Sequence, residues 1–161
     1  MITRLKAMIM LLALLSIVVN GYSQEEKKDK KEVVLQQLGE KKFTFVAQSM
    51  RPMRGGTRQL TTQYEVKVTA DTVDSFLPYA GRAQSVSMNP SEQGLTFKST
   101  NFDYVKEEGK KGRITITISF KDVSDPRKMI FTIYADGITS LQVTCNNRDP
   151  ISFDGYLRGS Q

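Results

Sequence analysis

The sequence predicts a mainly β protein, a curved antiparallel meander sheet or partly closed barrel of about seven or eight strands. Three observations predict it. Apolar residues recur at every second position through most runs between Phe43 and Tyr156. Turn signals built on Gly, Pro, Asn and Asp separate those runs. The gaps are also too short for parallel pairing, which needs connections of about a dozen residues or more. A short N-terminal helix and a short helical or loop cap near residues 71–83 complete the expected fold.

The first residues stand apart from this pattern. Arg4 and Lys6 give a positive start, and Ala7 to Val19 carries no charge. Gly21 and Ser23 then place small residues at the −3 and −1 positions of a cut before Gln24. This is the pattern of a secretory signal peptide over residues 1–23. The apolar run is shorter than the roughly 20 residues a spanning helix requires. Removal of the signal would leave no stable membrane insertion, and the protein is expected to be exported, periplasmic or secreted. The single cysteine, Cys145, lies far from the apolar run, so no lipid attachment is expected there. Cys145 cannot form an internal disulfide, and it falls in phase with Leu141 and Val143 as a small buried hydrophobe.

Residues 24–40 form a charged leader and a short helix. The run "EEKKDKKE" is too polar to bury. Val33, Val34, Leu35 and Leu38 then carry helical spacing, and Gly39 supplies a stop. Residues 41–161 form one β-rich domain. Phe43, Phe45 and Ala47 alternate, with Val46 out of phase, and "RPMRGG" is a loop. Leu60, Tyr64, Val66 and Val68 share one face of the next strand. In "DSFLPYAGRA", Pro78 and Gly81 interrupt regular backbone, while Phe76, Leu77 and Tyr79 offer apolar area that must lie on something. This segment is expected to plug an end of the sheet or cover its open side.

"QSVSMNPSEQG" carries turn signals at Asn89–Pro90 and Gly94. Alternation resumes at Leu95 and Phe97 and again at Phe102 and Tyr104, across a polar break. "KEEGKKGR" reads as a hairpin tip. The clearest strand is "RITITISFKD", with Ile114, Ile116, Ile118 and Phe120 inward. Asp125–Pro126 turns the chain into Met129, Phe131 and Ile133, and "ADG" then marks a tight hairpin. Ile138, Leu141, Val143 and Cys145 follow, and Ile151, Phe153 and Tyr156 close the domain.

The segments "YEVKVTADTVDSFLPYAGRAQ", "GLTFKSTNFDYV" and "GITSLQVTCNNRDPISFDGYL" resemble the domain of unknown function 4251 family, exported proteins of Gram-negative bacteria. The likeness covers about residues 40–158 and departs at Ala80, where a bulkier aromatic is expected. The resemblance implies an envelope or secreted location. It implies no reaction and transfers no catalytic residue.

Chemistry in the residues points the same way. With no histidine, Ser–His and Cys–His pairs are absent, as is the commonest zinc ligand. No phosphate-binding glycine motif is present, and no cofactor is implied. The net charge is +6, falls by two when Arg4 and Lys6 leave, and is mixed in sign along the chain, so nucleic acid is not an expected partner. Asp122 and Asp125 read as turn residues. Arg51, Met53 and Arg54 read as a solvated loop tip. Arg82 and Arg148 are the pair of interest, each beside a turn glycine or proline. Their guanidinium groups either bond backbone carbonyls to hold irregular segments or line a pocket for an acidic ligand.

The leading functional expectation is a non-enzymatic exported domain that binds a small molecule or an envelope component. The alternative is a structural or protein-interaction module of the envelope. A hydrolase using acidic residues alone is the third reading. An open interior would favour the first, a filled one the second, and two facing carboxylates about 5–9 Å apart the third.

Overall fold

The computed structural model of the chain describes residues 32–82 and 94–158. The expected signal peptide, the leader up to residue 31 and the Asn89–Pro90 turn lie outside the described residues. Helix α1 occupies residues 32–39. The strands are β1 (Phe43–Pro52), β2 (Arg58–Val68), β3 (Val73–Leu77), β4 (Leu95–Ser99), β5 (Phe102–Glu108), β6 (Ile114–Phe120), β7 (Lys128–Ile133), β8 (Ile138–Thr144) and β9 (Ile151–Leu157).

Among the described residues these make one nine-stranded sheet in the order β4-β3-β2-β1-β9-β8-β7-β6-β5. Every pairing is antiparallel. The first and last strands zip together, Phe45 opposite Leu157 and Met50 opposite Phe153. Round the ring the strands therefore follow chain order, giving a nearly closed up-and-down barrel. The one unladdered seam lies between β4 and β5, which are consecutive in the chain.

Two-residue alternation sets which side chains point inward. On β6 every second residue from Ile114 to Phe120 is buried, and β9 repeats the pattern from Ile151 to Leu157. The interior is packed by contacts that cross the ring. Phe131 of β7 meets Phe43 and Phe45 of β1 edge-on, at 5.4 and 5.9 Å between ring centroids. Such edge-to-face pairs suit the charge distribution of aromatic rings. Gly155 lies opposite Ala47, beside a register shift in β1. A Cβ at Gly155 would stand 1.9 Å from the Val46 carbonyl oxygen, so close approach of the two backbones requires glycine there.

Side chains hold the seam where the ladder stops. Phe97 of β4 packs edge-on against Phe120 of β6 at 5.0 Å. The Asp122 carboxylate accepts from Ser99 Oγ at 2.6 Å and from the Thr100 and Asn101 amides at 2.8 and 3.0 Å, pinning the β4–β5 turn. Those donors, the Ser99 hydroxyl first, hold the Asp122 carboxyl below its usual range. On β5, Tyr104 Oη donates to the Leu38 carbonyl at 3.2 Å, tying α1 to this strand.

Two expectations are corrected. Among the described residues the sheet has nine strands rather than about seven or eight. The helical or loop cap near 71–83 is instead the strand Val73–Leu77, hydrogen-bonded on both sides and part of the wall. Its pattern is hidden because polar Ser75 points inward and apolar Phe76 outward. Ser75 is tolerated in the core because its hydroxyl donates to the Leu95 carbonyl at 2.8 Å. Only the continuation through Tyr79 to Arg82 is irregular.

Candidate functional site: a charged trough on the outer wall

Sequence reasoning singled out Arg82 and Arg148, and the structure brings their segments together at one end of the barrel. Arg148 Nε donates to Asp125 Oδ2 at 2.6 Å, and Nη1 donates to the Gly94 carbonyl at 2.9 Å. Its guanidinium stands 5.0 Å from the centre of the Tyr79 ring. The ion pair is nearly dry, with side chains 14% and 12% exposed. Asp125 Oδ1 also accepts from the Asn146 amide at 2.9 Å. Arg82 takes part through its backbone: its carbonyl accepts from the Asp149 amide at 3.1 Å and from Tyr79 Oη at 3.1 Å. Tyr79 curls over Gly81, where a Cβ would stand 2.4 Å from its hydroxyl. Burial raises the Tyr79 hydroxyl pKa. Cys145 beside this cluster is pushed up to about 12, by desolvation first and then by the Asp125 carboxylate.

The other residues named from sequence are dispersed. Arg51 pairs with Asp154 on the exposed β1–β9 surface, and Met53 is 65% exposed in the following loop. Among the described residues no group of three or more His, Cys, Asp or Glu is placed to hold a metal ion. No helix among them is long and apolar enough to cross a membrane.

Three concave surfaces among the described residues lie on the outer wall of β1–β4. The largest of these three, about 500 Å³, runs between the end of α1 and the β1–β2 wall, lined by Gln37, Glu40, Lys42, Thr44, Lys67 and Arg158 among others. A second, about 280 Å³, is lined by Gln63, Glu65, Lys67, Asp74 and Phe76. A third, about 230 Å³, is lined by Lys67, Thr69, Thr72, Asp74 and Lys98. Lys67 borders all three, so they form one branched trough.

Strand register builds this trough. Lys67 lies opposite Asp74, and Asp74 lies opposite Lys98, setting a row of alternating charge across β2, β3 and β4. Arg158 Nη2 donates to Glu65 Oε2 at 2.5 Å, and Gln63 Nε2 donates to the same oxygen at 3.1 Å. Glu40 accepts from Gln36 Nε2 at 3.0 Å. Lys42, Lys67 and Lys98 make no ion pair among the described residues, although the Asp71 carboxyl, lowered first by the Thr69 hydroxyl, is lowered further by nearby Lys98. The sequence offers no local signal for this site, because its residues come from separate strands and meet only through register.

The fold and this surface define a class: an antiparallel, nearly closed β-barrel domain with an apolar core and a charged groove outside. The chain belongs to the DUF4251 family, described as a domain of unknown function, whose model matches residues 25–157. A crystal structure of a DUF4251 family protein from Bacteroides eggerthii DSM 20697 is similar, at 15% identity and a TM-score of 0.58. The match covers 80% of this chain and 86% of that one, and it shows a shared fold. No curated protein matches the chain.

Proposed function

We propose that the protein is an exported, non-enzymatic binding domain that holds a component of the bacterial envelope against the outside of its barrel. The observation that carries this reading is the open trough on the outer wall, where Lys42, Lys67 and Lys98 make no ion pair among the described residues, set against an apolar core that includes Phe43, Phe45, Phe131 and Phe153. Export is supported by the signal-peptide pattern of residues 1–23 and by a family match that begins only at residue 25.

Binding is favoured over hydrolysis at the same place. Register sets Glu65 and Asp74 on diagonal positions of neighbouring strands, about 7–8 Å apart at their backbones. Glu65, however, is already engaged by Arg158 and Gln63. A protein-docking module is the second reading. It is favoured by Ile138, 56% exposed and opposite Tyr156, beside Tyr134 at 47% exposed.

The test is co-sedimentation with isolated bacterial envelopes. Wild-type protein is expected in the pellet, and a Lys42→Gln, Lys67→Gln, Lys98→Gln variant in the supernatant with a nearly unchanged melting temperature. Retention of that variant in the pellet would overturn the trough as the binding surface. Hydrolysis of an envelope glycan, abolished by Glu65→Gln, would overturn the non-enzymatic reading. Export is checked by mass spectrometry after expression of the full chain. A mature N-terminus at Gln24 outside the cytoplasm is expected; an intact chain kept inside would contradict it.

A further inference from the structure

We infer that the ligand of the trough is an acidic glycan, a chain of sugar rings bearing carboxylates, laid across the outer faces of β1 to β4. The inference rests on reading the trough as the binding surface and adds the chemistry of what it takes.

Three features select this ligand. The first is charge. Glu65 is paired with Arg158, while Glu40, Asp71 and Asp74 stand among Lys42, Lys67 and Lys98, so cationic positions along the trough are spaced by acids. A ligand with spaced negative groups complements that balance.

The second is hydrogen bonding. Gln37 lines the largest of the three branches, and its Oε1, closed to solvent and without a partner among the described residues, meets a ligand's donor once the side chain turns into the trough. Its Nε2 reaches toward the Arg158 carbonyl at 3.5 Å, which orients the oxygen as the free group. A buried acceptor calls for a donor. A carboxylate or phosphate has none to offer, whereas sugar hydroxyls both donate and accept. Thr44 adds a hydroxyl able to donate and accept along the same branch.

The third is an aromatic plate. Phe76 is 49% exposed, lines the trough, and is backed by Tyr64 at 5.3 Å between ring centroids. The electron-rich face of such a ring accepts the C–H face of a sugar. Phe76 is also the one large exposed hydrophobic residue among the trough-lining residues, too little for the apolar centre a protein partner would seek. A lipid headgroup would meet the lysines but would use neither the plate nor the buried amide oxygen.

Calorimetric titration with oligogalacturonate, dextran oligomers of equal length and phosphatidylglycerol vesicles tests this. Oligogalacturonate is expected to bind, with affinity falling as salt rises. Dextran is expected to bind at least tenfold more weakly, and the vesicles not at all. Lys67→Gln is expected to weaken oligogalacturonate about two- to fivefold and Phe76→Ala about two- to tenfold, each with an unchanged melting temperature. Equal binding of dextran, preference for vesicles, or full affinity in the Lys67→Gln, Phe76→Ala double variant would each overturn the inference. So would a trough variant that loses envelope binding while wild type ignores oligogalacturonate, although that result leaves the binding-surface reading standing.

Discussion

Two arginine–carboxylate pairs, Arg148–Asp125 and Arg158–Glu65, use the same chemistry at opposite levels of burial. In the first the side chains are 14% and 12% exposed; in the second, 51% and 33%. The first is wrapped by the Tyr79 ring, the Gly94 carbonyl and the Asn146 amide. The second stands in an open trough beside Lys67. Burial makes the difference. Breaking a desolvated pair strands a charge away from water, whereas an exposed pair returns its charges to solvent at little cost. The dry pair therefore organises the irregular end of the barrel, and the wet pair neutralises Glu65 within a binding surface.

The largest effect that can break this contrast is expected from Asp125→Ala. It removes the carboxylate from a nearly dry guanidinium, which keeps its bond to the Gly94 carbonyl, and leaves the Asn146 amide without its acceptor. A loss of about 3 kcal/mol in urea unfolding is expected, the lower end of the range because the pair keeps slight exposure. Retention of wild-type stability would place the Tyr79–Arg148 cluster outside the fold's energetics. Arg148→Lys is milder, since it keeps the charge and loses the planar donor set that serves Asp125 and Gly94 together. About 1–2 kcal/mol is expected, read as a lower melting temperature. An unchanged melting temperature would shift Arg148 toward a ligand-facing role.

Alkaline pH sharpens the same comparison. Burial raises the Cys145 thiol from 9.0 to about 12, and burial raises the Tyr104 hydroxyl from 10.0 to about 12. Above its unfolded pKa each group stays protonated only in the folded chain, so the folded state binds more protons. Stability is then complete below about pH 9 and falls between about pH 9 and 12. Cys145→Ala together with Tyr104→Phe is expected to flatten that decline in pH-dependent urea titrations, and an unaltered slope would contradict it. The smallest effect belongs to Arg158→Ala, under about 1 kcal/mol, because its pair is exposed. A larger loss would mean the trough is itself part of the scaffold.

How much of this was legible depends on whether a signal lay along one strand or across several. Ile114 to Phe120 alternate without exception and form β6 as expected. The "ADG" signal became the β7–β8 hairpin, with Gly137 at φ +82°. β3 was illegible because Ser75 and Phe76 exchange the usual places of polar and apolar residues. Asp125 was readable as a turn residue, but its bond to Arg148, 23 positions away, depends on how the β6–β7 and β8–β9 connections meet. The trough was invisible for a related reason. Lys42, Lys67 and Lys98 are ordinary outward lysines until ring closure and register gather them on one wall.

Double-mutant cycles on the two pairs, Arg148/Asp125 against Arg158/Glu65, compare the interaction energies directly in one unfolding assay. The expected result is a coupling of at least about 2 kcal/mol for the dry pair and below about 0.5 kcal/mol for the wet one. Equal couplings would contradict the assignment of one arginine to the scaffold and the other to the working surface.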